Sequence, residues 1–247
     1  PYSLTATEAA RLVRSGELSS LELVKSCLAR IAETDRAIGA WAWLDPESAL
    51  AQAAECDRLR KAGMATGPLH GVPVGLKDII DTRDMTTELG TPVHAGRRTD
   101  TDACLNQILR ARGEAVGAKA DLMHIELMIS RDGILQTSVS LDQVGCFGRT
   151  LADVALLADV IASYDQRDRE SFARPRPAMQ QGASEAPPVT PDLVWLDLPF
   201  YGRLAGDARD GLEQVMDILG SQVTRMTAAD TLSNLVAVQA RIHEYEI

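Results

Sequence analysis

Residues 67–82 read GPLHGVPVGLKDIIDT, and the place of Lys77 in that stretch bears on both the fold and the chemistry. Residues 72–80 have the apolar, β-branched composition of a strand. On a strand, alternate side chains face opposite ways. Val72, Val74 and Leu76 would share the core face, and Pro73, Gly75 and Lys77 the other, where small neighbours leave room above the backbone. Asp78 would point away from Lys77 for as long as the strand stays regular. On these residues alone two readings stay open. Lys77 is either a strand-end lysine whose charge reaches water, or an amine buried without a partner, whose lowered pKa makes it available as a base.

Downstream, the turn-rich DTRDMTTELGTPVHAG gives way to a helical pattern from about Thr101 to Arg112, closed by Gly113. A short strand over Ala115–Ala118 follows. Strand, helix and strand with short connections make a parallel crossover unit. The fold class is therefore α/β, a mixed and largely parallel central sheet flanked by helices. SLDQVGCFGRT reads as a strand and turn leading into a helix capped by Thr150, with Leu151, Val154, Leu157, Ala158 and Ile161 on its buried side.

Upstream, Thr5 with Glu8 and Ser19 with Glu22 have capping-box spacing. Val24, Cys27, Leu28 and Ile31 then recur along one helical face. A third helix starts with Asp45 as cap and Pro46 in its first turn, and stops at Gly63. Residues 1–66 thus form a helical segment packing on an α/β core at 67–164. Residues 165–191, with five prolines, form a linker or surface excursion. Residues 192–247 continue the same domain, with a strand in DLVWLDLPF and helices over 207–220 and 231–246.

A chain of 247 residues, 45% apolar and 24% charged, can bury a full core. A formal charge of −10 argues against nucleic acid as a partner. No apolar run suits a membrane span or a signal peptide. The scattered Cys27, Cys56, Cys104 and Cys146 argue against disulfides and a zinc site, which points to a reducing, cytoplasmic setting. The spacing around Gly71, Gly75 and Lys77 does not match a phosphate-binding loop, and the kinase and serine-elbow motifs are absent. His124 and Glu126 form H-x-E without the P-C-x-x-C of a zinc deaminase. His70, His94 and His243 read as structural or loop residues.

Four stretches then occur in one order. They are GPLHGVPVGLKDIIDT, MTTELGTPVHAGRRTDTDAC, ILRARGEAVGAK and SVSLDQVGCFGRTLADVALLADVIA. Together they resemble the amidase signature family, and within it the small bacterial amidases of the malonamidase type. AIGAWAWLDPESALAQAAECDRLRKAG is similar to the N-terminal helices of that family. The resemblance implies hydrolysis of the C–N bond of a small carboxamide by a Ser–cis-Ser–Lys triad, with Lys77 matching the base. It implies no cofactor or metal. A homodimer is common among such relatives, and the sequence leaves the oligomeric state open.

The resemblance also implies two serines that are missing. GAKADLMHIELMISRDGILQTSVSLDQVG passes almost at once from one family landmark to the next, without the Gly/Ser-rich stretch between them. Ser130, Ser138 and Ser140 match the segment after the family's site and read as structural. The family's C-terminal part is also not apparent, and the sequence stops at Ile247 inside a helical pattern. Either a stretch of the protein lies outside this sequence, which a chain deprived of central strands favours, or the polypeptide is shortened and has a base without a nucleophile. The first case leads to the expectation of an amidase. Alternatives are a catalytically inactive binding or interaction module and an amidotransferase catalytic subunit.

Overall fold

Both capping boxes form as the spacing predicts. Thr5 caps α1 (Ala6–Ser15) and Ser19 caps α2 (Ser20–Ile38), each with a glutamate reaching back from three residues on. This computed structural model describes every residue except 65, 112–114, 121–127, 174, 176–177, 229–231 and 247, and only the backbone of 115–120. Two compact units result, one of Pro1–Gln136 with Asp142–Glu185, the other of Thr137–Leu141 with Ala186–Ile247.

In the first unit, α2 leads to β1 (Trp41–Leu44) and, with Asp45 as cap, to α3 (Pro46–Lys61). The buried Asp57 of α3 accepts the backbone N–H groups of Ser20 and Leu21 at 2.9 and 3.1 Å, and so satisfies donors at the start of α2. β2 (Pro73–Leu76), α4 (Cys104–Ala111) and β3 (Ala115–Ala120) form the crossover unit, with β2 and β3 parallel. β1 joins the other edge of β3 antiparallel, so the sheet is mixed, in the order β1-β3-β2. Thr150 caps α5 (Leu151–Ile161). One core gathers Val13 of α1, Leu69, Leu76 of β2, Met85, Leu109 of α4 and Val160 of α5.

The expected strand in SLDQVGCFGRT does not form. Its chain runs irregularly until the helix cap. The expected helix stop at Gly113, and His124 with Glu126, lie outside the described residues. Inside the proline-rich stretch a short helix, α6 (Met179–Ser184), is held by Asp159, which accepts from the N–H groups of Met179 and Gln180.

The second unit pairs β4 (Leu193–Asp197) and β5 (Val223–Thr227) in parallel across α7 (Gly206–Leu219), and ends in α8 (Leu235–Glu246). Arg225 ties it together, donating to Asp197 at 2.7 Å and to Glu213 at 3.1 Å. At the end of α8, Glu246 accepts from the hydroxyls of Ser138 and Ser140 and from the Ser140 N–H. These bonds hold its carboxyl down to about 2. No helix among the described residues is long and apolar enough to cross a membrane.

Candidate active site

Strand β2 ends at Leu76, so Lys77 is the first residue beyond the carboxyl end of a strand in a parallel pair. That is the position where open α/β sheets place their ligands. The β2–β3 register shifts between Val74 and Gly75, where β3 carries one extra residue against two consecutive residues of β2, and β2 itself runs on to Leu76. Beyond it the chain turns, with the Ile80 N–H bonded to the Lys77 carbonyl at 3.1 Å.

Asp78 is buried and serves the following loop. Its carboxylate accepts the N–H groups of Glu88 at 3.1 Å and Gly90 at 3.4 Å, and its carbonyl accepts that of Leu89. Between those contacts Leu89 is held at a φ of 61°, a left-handed conformation rare for a leucine. The carboxylate next in sequence to Lys77 thus organises the following loop.

Lys77 itself is half-buried and lines a cavity of about 200 Å³. The floor is apolar, built from Val72, Leu76, Leu105, Leu109 and Leu157, with Gly75 and Gly145 supplying bare backbone. Phe147, 53% exposed, stands in the lining where it meets solvent. Among the described lining residues the charged side chains are Lys77 and Asp153.

Asp153 is only 2% exposed, and its oxygens are engaged elsewhere. Oδ1 accepts from the N–H and hydroxyl of Thr7, both at 2.8 Å, and Oδ2 from the Thr150 N–H at 3.2 Å. Burial works to raise this carboxyl, but the bonds from Thr7 and Thr150 outweigh it and keep it below the usual range. Lys77 forms no side-chain hydrogen bond or ion pair among the described residues. Its side chain thus borders a largely apolar cavity, where it is able to meet a polar group brought in by a ligand.

The lining contains no serine or threonine among the described residues. Its one candidate nucleophile is Cys146, whose thiol is pushed up by burial to about 11, away from the reactive thiolate. Ser130 is buried and donates to Asp165 at 2.7 Å, beside the ion pair of Asp165 with Arg167. Ser138 and Ser140 bind Glu246. All three are engaged in structural bonds. His70 is likewise structural, its Nε2 lying 2.9 Å from the Cys56 carbonyl. No group of His, Cys, Asp and Glu among the described residues is arranged to hold a metal ion.

Cys146, Phe147 and Asp153 were not foreseen as lining. The one sequence signal toward them is that the helix cap at Thr150 follows a loop whose glycines, at 145 and 148, let its backbone approach a neighbour closely.

Comparison with known proteins bears on the family and the fold. The family model described as Amidase matches residues 22–129, from α2 through the crossover unit and Lys77. A glutamyl-tRNA(Gln) amidotransferase subunit from Streptomyces avermitilis is 30% identical over 247 residues, covering 73% of this chain and 49% of the relative. The corresponding subunit from Chloroflexus aurantiacus is 27% identical over 305 residues, covering 96% of this chain and 60% of the relative. This chain thus spans about half the length of the curated relatives it matches. The second alignment is also longer than the 247-residue chain, so the relative carries stretches with no counterpart here.

Among solved structures, the native peptide amidase from Stenotrophomonas maltophilia superposes with a TM-score of 0.74 at 24% identity, over 92% of this chain and 62% of that one. A structure described as a vestigial protein complex that reveals the origins of an s-triazine catabolic enzyme reaches 0.81 at 18% identity, over 98% and 67%. These likenesses establish the fold. With the ordered motifs around Lys77, the family match across them and this shared architecture, the chain belongs to the amidase signature family.

Proposed function

We propose that the protein acts on small carboxamides by acyl transfer, with Lys77 as the base. One observation carries this reading: Lys77 stands at the carboxyl end of β2, in an apolar cavity with bare glycine backbone and no carboxylate paired to its amine among the described residues. In the proposed reaction a hydroxyl oxygen adds to the amide carbon while its proton passes to Lys77 Nζ. The C–N bond then breaks as that proton goes to the leaving nitrogen, and water hydrolyses the acyl ester. Backbone N–H groups in a glycine-bearing wall are suited to the developing oxyanion. The hydroxyl must come from outside the described lining.

The test is ammonia release from simple carboxamides by the whole chain, with Lys77→Ala as control. Loss of the base should lower turnover by about 10²–10⁴-fold. Equal turnover in the mutant would remove the lysine from the mechanism.

A second reading follows from the missing hydroxyl: a module that binds amides without turning them over. Amide binding that Lys77→Ala weakens, with no ammonia released by either protein, would select it. The names of the curated relatives favour a third role, a subunit that releases ammonia for a partner enzyme, for which co-purification with partner subunits is the check. A cytoplasmic location is part of the proposal, supported by four cysteines that form no disulfide among the described residues.

A further inference from the structure

Strand β2 borders a second hollow, of about 270 Å³, which shares Pro73, Val74 and Gly75 with the Lys77 cavity and is otherwise built by α2, β1, the start of α3, Tyr2 and Arg149. Its wall is the helical stripe that sequence periodicity marks as a core face. Val24 is buried as that pattern expects, but Leu28 and Ile31 remain half-buried because they front this space. Trp41 lies across from them, its ring edge so close to Gly75 that a Cβ there would sit 3.1 Å away.

The hollow is apolar inside and cationic at its edge. Arg149 donates to the carbonyls of Ser3 and Tyr2 at 2.7 and 3.1 Å, bonds that orient the guanidinium without neutralising it. Among the described residues no carboxylate forms an ion pair with it. Arg30, 5.6 Å above the Tyr2 ring, adds a second cation, which the exposed Glu33 meets at 3.3 Å. In a chain of formal charge −10 this is a local reversal of sign. A ligand that satisfies both features has a hydrocarbon body and one anionic end. Arginine prefers carboxylate as that end because its fork matches two oxygens.

We propose that this hollow binds a small amphiphilic carboxylate, an aliphatic or phenylalkyl acid. Its hydrocarbon part lies among Val24, Leu28, Ile31 and Trp41, and its carboxylate pairs with Arg149. The site is independent of any turnover at Lys77.

Calorimetric titration of the whole chain with hexanoate, octanoate and octanol tests it. Each added methylene should tighten binding by up to about fourfold. Octanoate should bind about tenfold more tightly than octanol. Arg149→Gln should bring octanoate down to the level of octanol, and Leu28→Trp, which fills the space, should abolish both. Lys77→Ala should change neither, because it alters only the neighbouring cavity.

Arg149 also holds the Tyr2–Ser3 backbone, so its variant could fail to fold. Salt titration of the unmutated protein then replaces it, with octanoate weakening severalfold at high salt and octanol unaffected. Equal affinity for octanoate and octanol, salt-independent octanoate binding, full binding in Leu28→Trp, loss of binding in Lys77→Ala, or no binding at all would each overturn the proposal.

Discussion

Single residues carry two kinds of constraint in this fold, and two glycines separate them. Gly133 has a φ of 76°, and a Cβ built there would lie 2.6 Å from the Cα of the fully buried Ala103. Ala103 cannot retreat, because its N–H is bonded to the Asp81 carbonyl, while the Asp81 N–H is bonded to Gly133 itself. Gly90 has a similar φ of 69° with nothing within 4 Å. Gly90→Ala should therefore cost about 1 kcal/mol, the left-handed backbone penalty alone. Gly133→Ala should cost about 3 kcal/mol or more, because steric displacement adds to that penalty. Urea denaturation of both variants checks this, and equal losses would mean that the contact with Ala103 relaxes freely. Neither constraint could be read from the sequence, in which both glycines sit in ordinary turn-prone surroundings.

At the scale of elements, α1 and α5 are joined by one carboxylate. Asp153 closes the capping box of α5 with Thr150 and also accepts both donors of Thr7 in the first turn of α1. Its pKa in the folded protein is lowered, so its contribution is present above the unfolded value of about 3.9 and is lost as pH falls through the lower folded value. Asp153→Asn should destabilise the protein by about 1–3 kcal/mol at neutral pH. It should also flatten the acid limb of a plot of stability against pH below about 4. Chemical denaturation across that range is the measurement, and an unchanged acid limb would show that other carboxylates set it.

The local half of this device was legible, since Thr150 as a cap and the apolar stripe of α5 follow from propensity and period. Its partner Thr7, at 146 positions' separation, was not, because nothing local marks a side chain that will meet it. The same division runs through the site. Lys77 at the end of an apolar strand stands out in the sequence, whereas the neighbours that line its cavity come from α4, α5 and the 144–147 loop. Regular alternation also overstated the length of β2, which ends at Leu76, where the chain turns and the Ile80 N–H bonds to the Lys77 carbonyl.

Across the whole molecule, the two units are held by different physics. In the first, α1, α4 and α5 share one core with Leu76 of β2 and leave Val13, Leu109 and Val160 with 1% exposure or less. In the second, no described apolar residue from 186 onward is buried. Val194 and Leu196 of β4, Val215 and Ile218 of α7 and Met226 of β5 are all exposed. There β4 and β5 are joined by their parallel ladder, and side-chain bonds of Arg225 with Asp197 and Glu213, with the Tyr201 hydroxyl donating to Glu213 at 2.7 Å, tie them to α7. Exposed ion pairs of this kind contribute about 0–1 kcal/mol each and weaken with salt, whereas apolar burial does not. Local opening should therefore be easiest where burial is least. In hydrogen exchange the amides of 193–197 and 223–227 should lose protection well before those of β2 and α5, and rising salt should widen the gap. Equal protection in both units would mean that the exposed apolar surface of the second is covered in solution, and a change of that protection with protein concentration would identify a second copy of the chain as the cover.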